Sequence, residues 1–399
     1  MFLSPIALLE RTGIKLWGGL RRVYSRSALL MKSLTLLIEA IWYRRHPLWW
    51  MAAAALWPWT LVFRSAAWLR RMLMHKESTS LSRPVVVVGN VSAGGSGKTP
   101  LIIGLCEALS ARGVRVGVLS HGYRASERYP RQIDGGSSPE LVGDEGFLLY
   151  CLCPPGTPVW VGRPRVAGLK LMLAASPELQ LVLVDDGLQD TSFRHDLELV
   201  LYSQAGLGNR LLMPAGPLRT PWPVHSLPDG TPPRLLVRSD ADAQPEETTG
   251  ESSELYVNPE LQGVYPAAEF FRPGVRRVLP FETLAGKRCH LFCAIARSWR
   301  VVESLGKVGL QVSASAYPDH FPLSYANLQA ELDSLGPKPE PEVILLTEKD
   351  AVKVLSHQAG EAQVEIALRI WVIAYRVSPP TSMVERLIAL SRLTPQRLG

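Results

Sequence analysis

The run from Val85 to Pro100 constrains this chain more than any other stretch. It reads Val85-Val-Val-Val-Gly-Asn-Val-Ser-Ala-Gly-Gly-Ser-Gly-Lys98-Thr99-Pro100 and leads into the apolar Leu101, Ile102, Ile103 and Leu105. A β-branched run, a glycine-rich turn and a second apolar run give strand, loop and helix in that order. Glycines let the backbone approach an anion and turn several N–H groups toward it, and a helix N-terminus adds its positive end. Gly94, Gly95, Ser96, Gly97, Lys98, Thr99 and Pro100 are therefore the expected nucleotide-binding set. Lys98 is suited to the β- and γ-phosphates, and the Thr99 hydroxyl to Mg²⁺. The generic phosphate-loop pattern has Gly where this chain has Ser92. The competing reading is a glycine-rich turn followed by Gly-Lys-Thr by chance.

Downstream, strands alternate with helices. Strands are expected at 84–89, 114–120, 159–161, 181–186 and 197–202, with helices from the loop to about Arg112, from Gly143 to about Cys151, and over 163–173. That alternation predicts an α/β unit with a mostly parallel sheet and ligands at the carboxyl ends of its strands. Leu181-Val-Leu-Val ends in Asp185-Asp186, which should lie beside the loop strand and so can support Mg²⁺. Asp-Asp-Gly is also good turn chemistry, and that alternative stays open. Asp144 and Glu145 sit at a helix start, where carboxylates are stabilised in any case. Arg124, Arg163, Arg165 and Arg219 suit phosphate or solvent equally.

From about Pro221 to Arg276 the chain turns rich in Pro, Ser, Thr, Asp and Glu and reads as a linker or excursion. A second run of alternating elements comes after it, with strands at 289–295, 310–314, 343–347 and 370–374. The expected division is a basic N-terminal extension and anchoring helix over 1–77, a phosphate-loop domain over 78–225, a linker over 226–280 and a smaller α/β domain over 281–399.

Before the first strand lies Pro47-Leu-Trp-Trp-Met-Ala-Ala-Ala-Ala-Leu-Trp-Pro58-Trp-Thr-Leu-Val-Phe63. As a helix it spans about 25 Å, short of the ~30 Å hydrocarbon core. Trp49, Trp50, Trp57, Trp59 and Trp68 suit the headgroup level, and Arg44, Arg45, Arg64, Arg70 and Arg71 suit anionic lipid. The segment is expected to dip into one leaflet rather than span it; a buried core helix is the alternative. The net charge of +7 fits nucleotide, nucleic acid or lipid alike. Basic charge gathers around this segment and no nucleic-acid motif occurs, so no nucleic-acid partner is expected. Five cysteines, an odd number without zinc-ligand spacing, read as core thiols of a reducing compartment.

An ordered series of motifs runs through the chain. It comprises Ile41-Trp-Tyr, the loop itself, Ser120-His-Gly-Tyr123, Gly143-Asp-Glu145, Asp185-Asp-Gly-Leu-Gln189 and Gly208-Asn209. Leu212-Met-Pro-Ala-Gly-Pro-Leu-Arg219, Ala294-Ile-Ala-Arg297, Asp319-His320 and Thr347-Glu-Lys-Asp-Ala-Val-Lys353 complete it. In this series the chain resembles the tetraacyldisaccharide 4′-kinase family, the lipid A 4′-kinases, and Ser92 is that family's own form of the loop. The resemblance implies a P-loop NTPase-type domain of mostly parallel sheet, a smaller α/β domain, a membrane-associated N-terminal helix and an active site in the cleft between the domains. It implies transfer of the ATP γ-phosphate to the 4′-hydroxyl of a tetraacyldisaccharide 1-phosphate, a lipid A precursor, giving lipid IVA. The cofactors are then ATP and Mg²⁺. The expected location is the cytoplasmic face of a Gram-negative inner membrane.

Roles are implied by the same resemblance. Asp144 is the general base, tuned by His320, with Lys98 on the phosphates and Asp185 or Asp186 on the metal. Tyr123, Glu145, Gln189 and Arg219 contact substrate or nucleotide. The chain departs from the family pattern at His121, Gly146, Asp190, Thr220 and Ser298, where the family has Arg, Pro, His, Glu and Pro. A membrane-tethered NTPase switch and a degenerate kinase serving as a scaffold are the other function classes.

Overall fold

The computed structural model describes residues 37–393 except 39, 45, 74–78, 93–96, 124, 127–128, 223–232, 240–253, 258, 273–275, 296–297, 319–320, 335–340 and 357–363. The expected ligands Gly94, Gly95, Ser96 and His320 thus lie outside the described residues. The chain divides into two compact units. One is formed by residues 31–259 with 377–399, the other by 260–376.

The first unit is built on β1 (Val85–Asn90), whose four valines are fully buried. Burying one valine side chain is worth about 1.5 kcal/mol or more, so this strand anchors the core. Among the described residues the sheet has eight strands in the order β3-β4-β2-β5-β1-β6-β7-β8. They are β2 (Val116–Ser120), β3 (Arg131–Gln132), β4 (Val159–Val161), β5 (Leu181–Asp185), β6 (Leu197–Tyr202), β7 (Arg234–Arg238) and β8 (Glu254–Tyr256). All neighbours pair parallel except β3 with β4. Four helices of this unit bear on the site: α1 (Pro47–Leu73), α2 (Lys98–Ser110), α3 (Asp144–Leu152) and α4 (Arg165–Ala175). β5 lies directly against β1, with Val88 opposite Asp185, so the Asp pair falls beside the phosphate-loop strand as expected.

Two boundaries differ from the sequence reading. The stretch taken as a linker over 226–280 supplies β7 and β8 to the first sheet. β7 alternates half-buried and buried residues, a weaker signal than the continuous apolar runs of β1 and β5. The chain also returns to the first unit after 376, and its last described helix, Thr381–Ser391, packs on α2. A Cβ at Gly104 of α2 would stand 2.0 Å from the Val377 carbonyl oxygen, so a glycine is required for that approach.

α1 runs to Leu73, ten residues beyond the expected apolar stretch and about 40 Å in all, with Pro58 inside it. Its buried stripe is narrow, with Ala53 and Thr60 inside; Leu48, Trp50, Met51, Trp57, Trp59, Leu61, Val62 and Phe63 are exposed. No described helix is long and apolar enough to cross a membrane.

Among the described residues the second unit has a five-stranded sheet in the order β11-β10-β12-β13-β9, from β9 (Pro259–Pro266), β10 (Cys289–Cys293), β11 (Val312–Ala316), β12 (Val343–Thr347) and β13 (Ile370–Val377). At the carboxyl end of β12, Asp350 is fully buried and accepts from the Ala294 N–H, the Thr347 hydroxyl and the Lys353 ammonium. Glu348 is likewise held by Arg376 and Tyr265. The Thr347–Lys353 run is therefore the internal brace of this unit.

Candidate active site

α2 opens at Gly97, which has φ +82° and no side chain to strain there, and Lys98 and Thr99 form its first turn. The Lys98 ammonium donates to Asp186 Oδ1 at 2.8 Å and to Asn90 Oδ1 at 3.3 Å. Asn90, the last residue of β1, is itself fixed by its amide donating to Ser92 O at 2.7 Å. Asn90 was not among the expected site residues. Its signal in the sequence is its place at the strand–loop junction, where an acceptor can hold the loop lysine.

Asp186 follows β5 in the left-handed region, at φ +52°, which aims its carboxylate back toward α2. Its second oxygen accepts from Arg219 at 3.4 Å. Burial opposes its ionisation, but the Lys98 charge and hydrogen bond, with Arg219, outweigh burial and hold the carboxyl below its ordinary range. Asp185 is the opposite case. It is 1% exposed and its Oδ1 has no hydrogen-bond partner. Burial, opposed by Lys98 and reinforced by Glu145 and Asp186, pushes it up to about 7. The two carboxyls of one dipeptide thus shift in opposite directions: Lys98 and Arg219 bond the one, while burial with an unpartnered oxygen governs the other.

The turn that carries them is braced by Arg165, a buried residue at the start of α4. Its guanidinium donates to the carbonyls of Asp185 (3.2 Å) and Asp186 (2.8 Å) and to the Asp190 carboxylate (3.1 Å). Asp190 also accepts from the Ser192 hydroxyl and N–H. His121 stands in the same neighbourhood with Arg163 against its ring. Burial, then Arg165 and Arg163, lower its pKa to about 4, so it is neutral at pH 7.

Asp144 and Glu145 begin α3, half-buried. Gly143 at φ +83° lets that helix start against the preceding turn; a Cβ there would lie 2.6 Å from the Tyr123 carbonyl oxygen. Tyr123 and Gln189 are exposed. Glu145 is close enough to Asp185 to bear on its charge. The first unit therefore brings Lys98, Asp185, Asp186 and Arg219 together, with Glu145 beside them.

No cluster of three or more His, Cys, Asp or Glu side chains suited to a metal occurs among the described residues. Mg²⁺ does not ask for one: it binds one or two carboxylates and completes its shell with phosphate and water. The unpartnered Asp185 oxygen, the Asp186 carboxylate and the Thr99 hydroxyl are hard oxygen donors of the kind it takes, so the residues fit the ion.

The family model for tetraacyldisaccharide-1-P 4'-kinase matches residues 52–392. The chain belongs to that family. Tetraacyldisaccharide 4'-kinase of Verminephrobacter eiseniae is 34% identical over 350 residues, 83% of this chain and 72% of that one. The protein of the same name from Chromobacterium violaceum is 34% identical over 367 residues, 88% and 97% of the two chains. Among solved structures, LpxK from Aquifex aeolicus, crystallised with ATP, superposes with a TM-score of 0.62 at 22% identity, covering 85% of this chain and 99% of that one. At that identity the likeness speaks for the fold, and it is the fold the sequence led one to expect.

Proposed function

We propose that the chain is a Mg²⁺- and ATP-dependent kinase that phosphorylates the 4′-hydroxyl of a tetraacyldisaccharide 1-phosphate. The observation that carries this is Lys98, held by Asn90 and Asp186 at the mouth of the glycine turn, inside a family match spanning most of the chain. Asp186 neutralises the lysine, and an incoming phosphate competes for the same ammonium. Charge then builds on the transferred group in a partly dry site, where a fixed cation is worth most. Thr99 with Asp185 and Asp186 would hold Mg²⁺, which neutralises phosphate charge when bound. Asp144 is assigned as the base on the sugar hydroxyl and His320 as its tuning partner, both by resemblance. Tyr123, Glu145, Gln189 and Arg219 are assigned to substrate and phosphate contact.

The N-terminal helix supports a site of action at a membrane surface. α1 leaves Trp50, Met51, Trp57 and Trp59 more than half exposed, next to exposed Arg44 and Arg64. So much apolar surface beside basic residues suits an anionic bilayer. We place the protein at the cytoplasmic face of an inner membrane, where ATP and the lipid precursor meet.

The test is transfer of label from γ-labelled ATP to the disaccharide 1-phosphate in detergent micelles. Labelled lipid in wild type and none with Lys98→Ala is the expected result. ATP hydrolysis that proceeds equally without the lipid would instead favour an NTPase switch.

A further inference from the structure

The loop from Gly208 to Arg219 joins the segment before α1 to the phosphate site. At its near end the Asn209 N–H donates to Trp42 O at 2.8 Å, and the Trp42 indole N–H donates to Pro214 O at 3.0 Å. From α1 the Thr60 hydroxyl reaches Leu212 O at 3.5 Å. At its far end the Arg219 N–H donates to Val91 O at 2.8 Å, and Leu218 bridges Ser92 at the root of the phosphate loop. The Arg219 guanidinium then meets Asp186.

The Asn209 side chain ties Ile41 to the middle of the loop, and Leu211, which it holds, accepts in turn from the Leu218 N–H at 3.1 Å. The Asn209 amide donates to Ala215 O at 2.9 Å and to Ile41 O at 3.4 Å, while its Oδ1 accepts from the Leu211 N–H at 3.1 Å. The fit is close: a Cβ at Gly216 would stand 2.2 Å from that Oδ1, and one at Gly208 would stand 2.5 Å from Trp42 O. The loop belongs to no strand of the sheet; its shape rests on backbone bonds such as Met213 N–H to Leu218 O and Gly216 N–H to Leu212 O, together with these side-chain bonds.

We propose that Asn209 is a positioning residue for phosphoryl transfer, which makes the Ile41–Trp42 segment part of the scaffold that sets Arg219 against Asp186 and the phosphate loop. The inference rests on the assignment of Arg219 to phosphate contact made above. Its consequence is that the N-terminal segment is more than a tether: removing it frees the loop that carries an active-site arginine. Misplacing a charged group by about 1 Å costs up to about 100-fold in rate.

The experiment uses the full chain in detergent micelles with ATP and the disaccharide 1-phosphate. Asn209→Ala should lower kcat about tenfold with the KM for ATP within about twofold. Trp42→Phe keeps a ring and loses only the N–H, and should lower kcat about threefold with an unchanged melting temperature. In an Arg219→Ala background, Asn209→Ala should cost less than about twofold more, because the residue it positions is gone. Loss of folded protein would lower activity by the same factor in both backgrounds. Equal factors there, or wild-type kcat in both Asn209→Ala and Trp42→Phe, would overturn the proposal. A wild-type kcat for Arg219→Ala would overturn the assignment of Arg219 and the inference with it, a result distinct from equal factors.

Discussion

Asp185 offers a direct measurement of how the site is charged before any ligand binds. In the folded protein its carboxyl is pushed up to about 7 because it is buried with one oxygen unpaired; unfolded, it titrates near 3.8. A raised carboxyl contributes stability below the unfolded value and loses it as pH rises through the folded one. Between pH 4 and pH 8 the folded protein must first retain a proton the unfolded chain has given up, and then bury a charge. At 1.36 kcal/mol per pKa unit, the penalty reaches roughly 4 kcal/mol by pH 8. Asp185→Asn keeps the shape and cannot ionise. Urea unfolding of the ligand-free variant and wild type across this range should show the variant gaining on wild type as pH rises, by a few kcal/mol in total. The difference between the two curves matters, because Asp186, Asp190 and Glu198 are held below their usual values and push overall stability the other way. Metal binding should also release a proton near pH 6–7 in wild type and none in the variant. A pH-independent difference between the two proteins would refute the account of Asp185 as a buried acid.

Lys98→Ala should reduce transfer by at least about 1000-fold and leave Asp186 with Arg219 alone, measured as labelled lipid formed per enzyme. Arg165→Met should lower kcat about tenfold or more and lower the melting temperature, because the two carbonyls of the Asp185–Asp186 turn lose their donor; unchanged kinetics would show the brace is dispensable. Washing membranes with about 1 M salt should leave the full-length protein bound, since the apolar surface of α1 adds to its basic flanks; release into the wash would assign binding to charge alone. If Asp144 and His320 act on one proton, Asp144→Asn with His320→Ala should lose little more activity than the worse single change, and multiplicative losses would separate them.

The first unit was readable from sequence where burial is complete. Val85–Val88 and Leu181–Val184 are continuous apolar runs because both faces of a central parallel strand are covered, and glycines mark the turns after them. Leu197–Tyr202 was readable to the residue. The outer strands were not: β7 alternates half-buried and buried residues, β8 is three residues long, and the proline-rich and acidic composition around them reads as a linker. The site obeyed the same rule. Lys98, Asp185 and Asp186 carry their chemistry in a motif, and β-strand adjacency then brings them together. Asn90 had only its place at the strand–loop junction to mark it, and Arg165 acts through bonds to backbone carbonyls and to Asp190, partners that no spacing in the chain announces. Of these, only Arg165 stood out as a charge, without a reason to separate it from the arginines around it.

Three of the departures from the family pattern, His121, Gly146 and Asp190, lie around that same brace; nothing in the structure explains Thr220 or Ser298. At position 121 the resemblance leads one to expect a permanent cation; His121 is neutral, with Arg163 against its ring. At position 190 one expects a histidine; Asp190 carries a charge, and Arg165 neutralises it. In this chain the positive charge facing the Asp185–Asp186 turn comes from Arg165, at the start of α4. Arg165 is partly neutralised by Asp190 and is made more rigid by it, since a carboxylate fixed by Ser192 is a better anchor than solvent. Gly146 belongs to the same local packing: a Cβ there would lie 2.5 Å from Val161, so α3 sits against β4 more closely than a proline ring would permit. These three positions are thus linked through contacts between α3, α4 and the ends of β2, β4 and β5. They leave Lys98, Asp186 and Arg219, the charges that would meet phosphate, in one place.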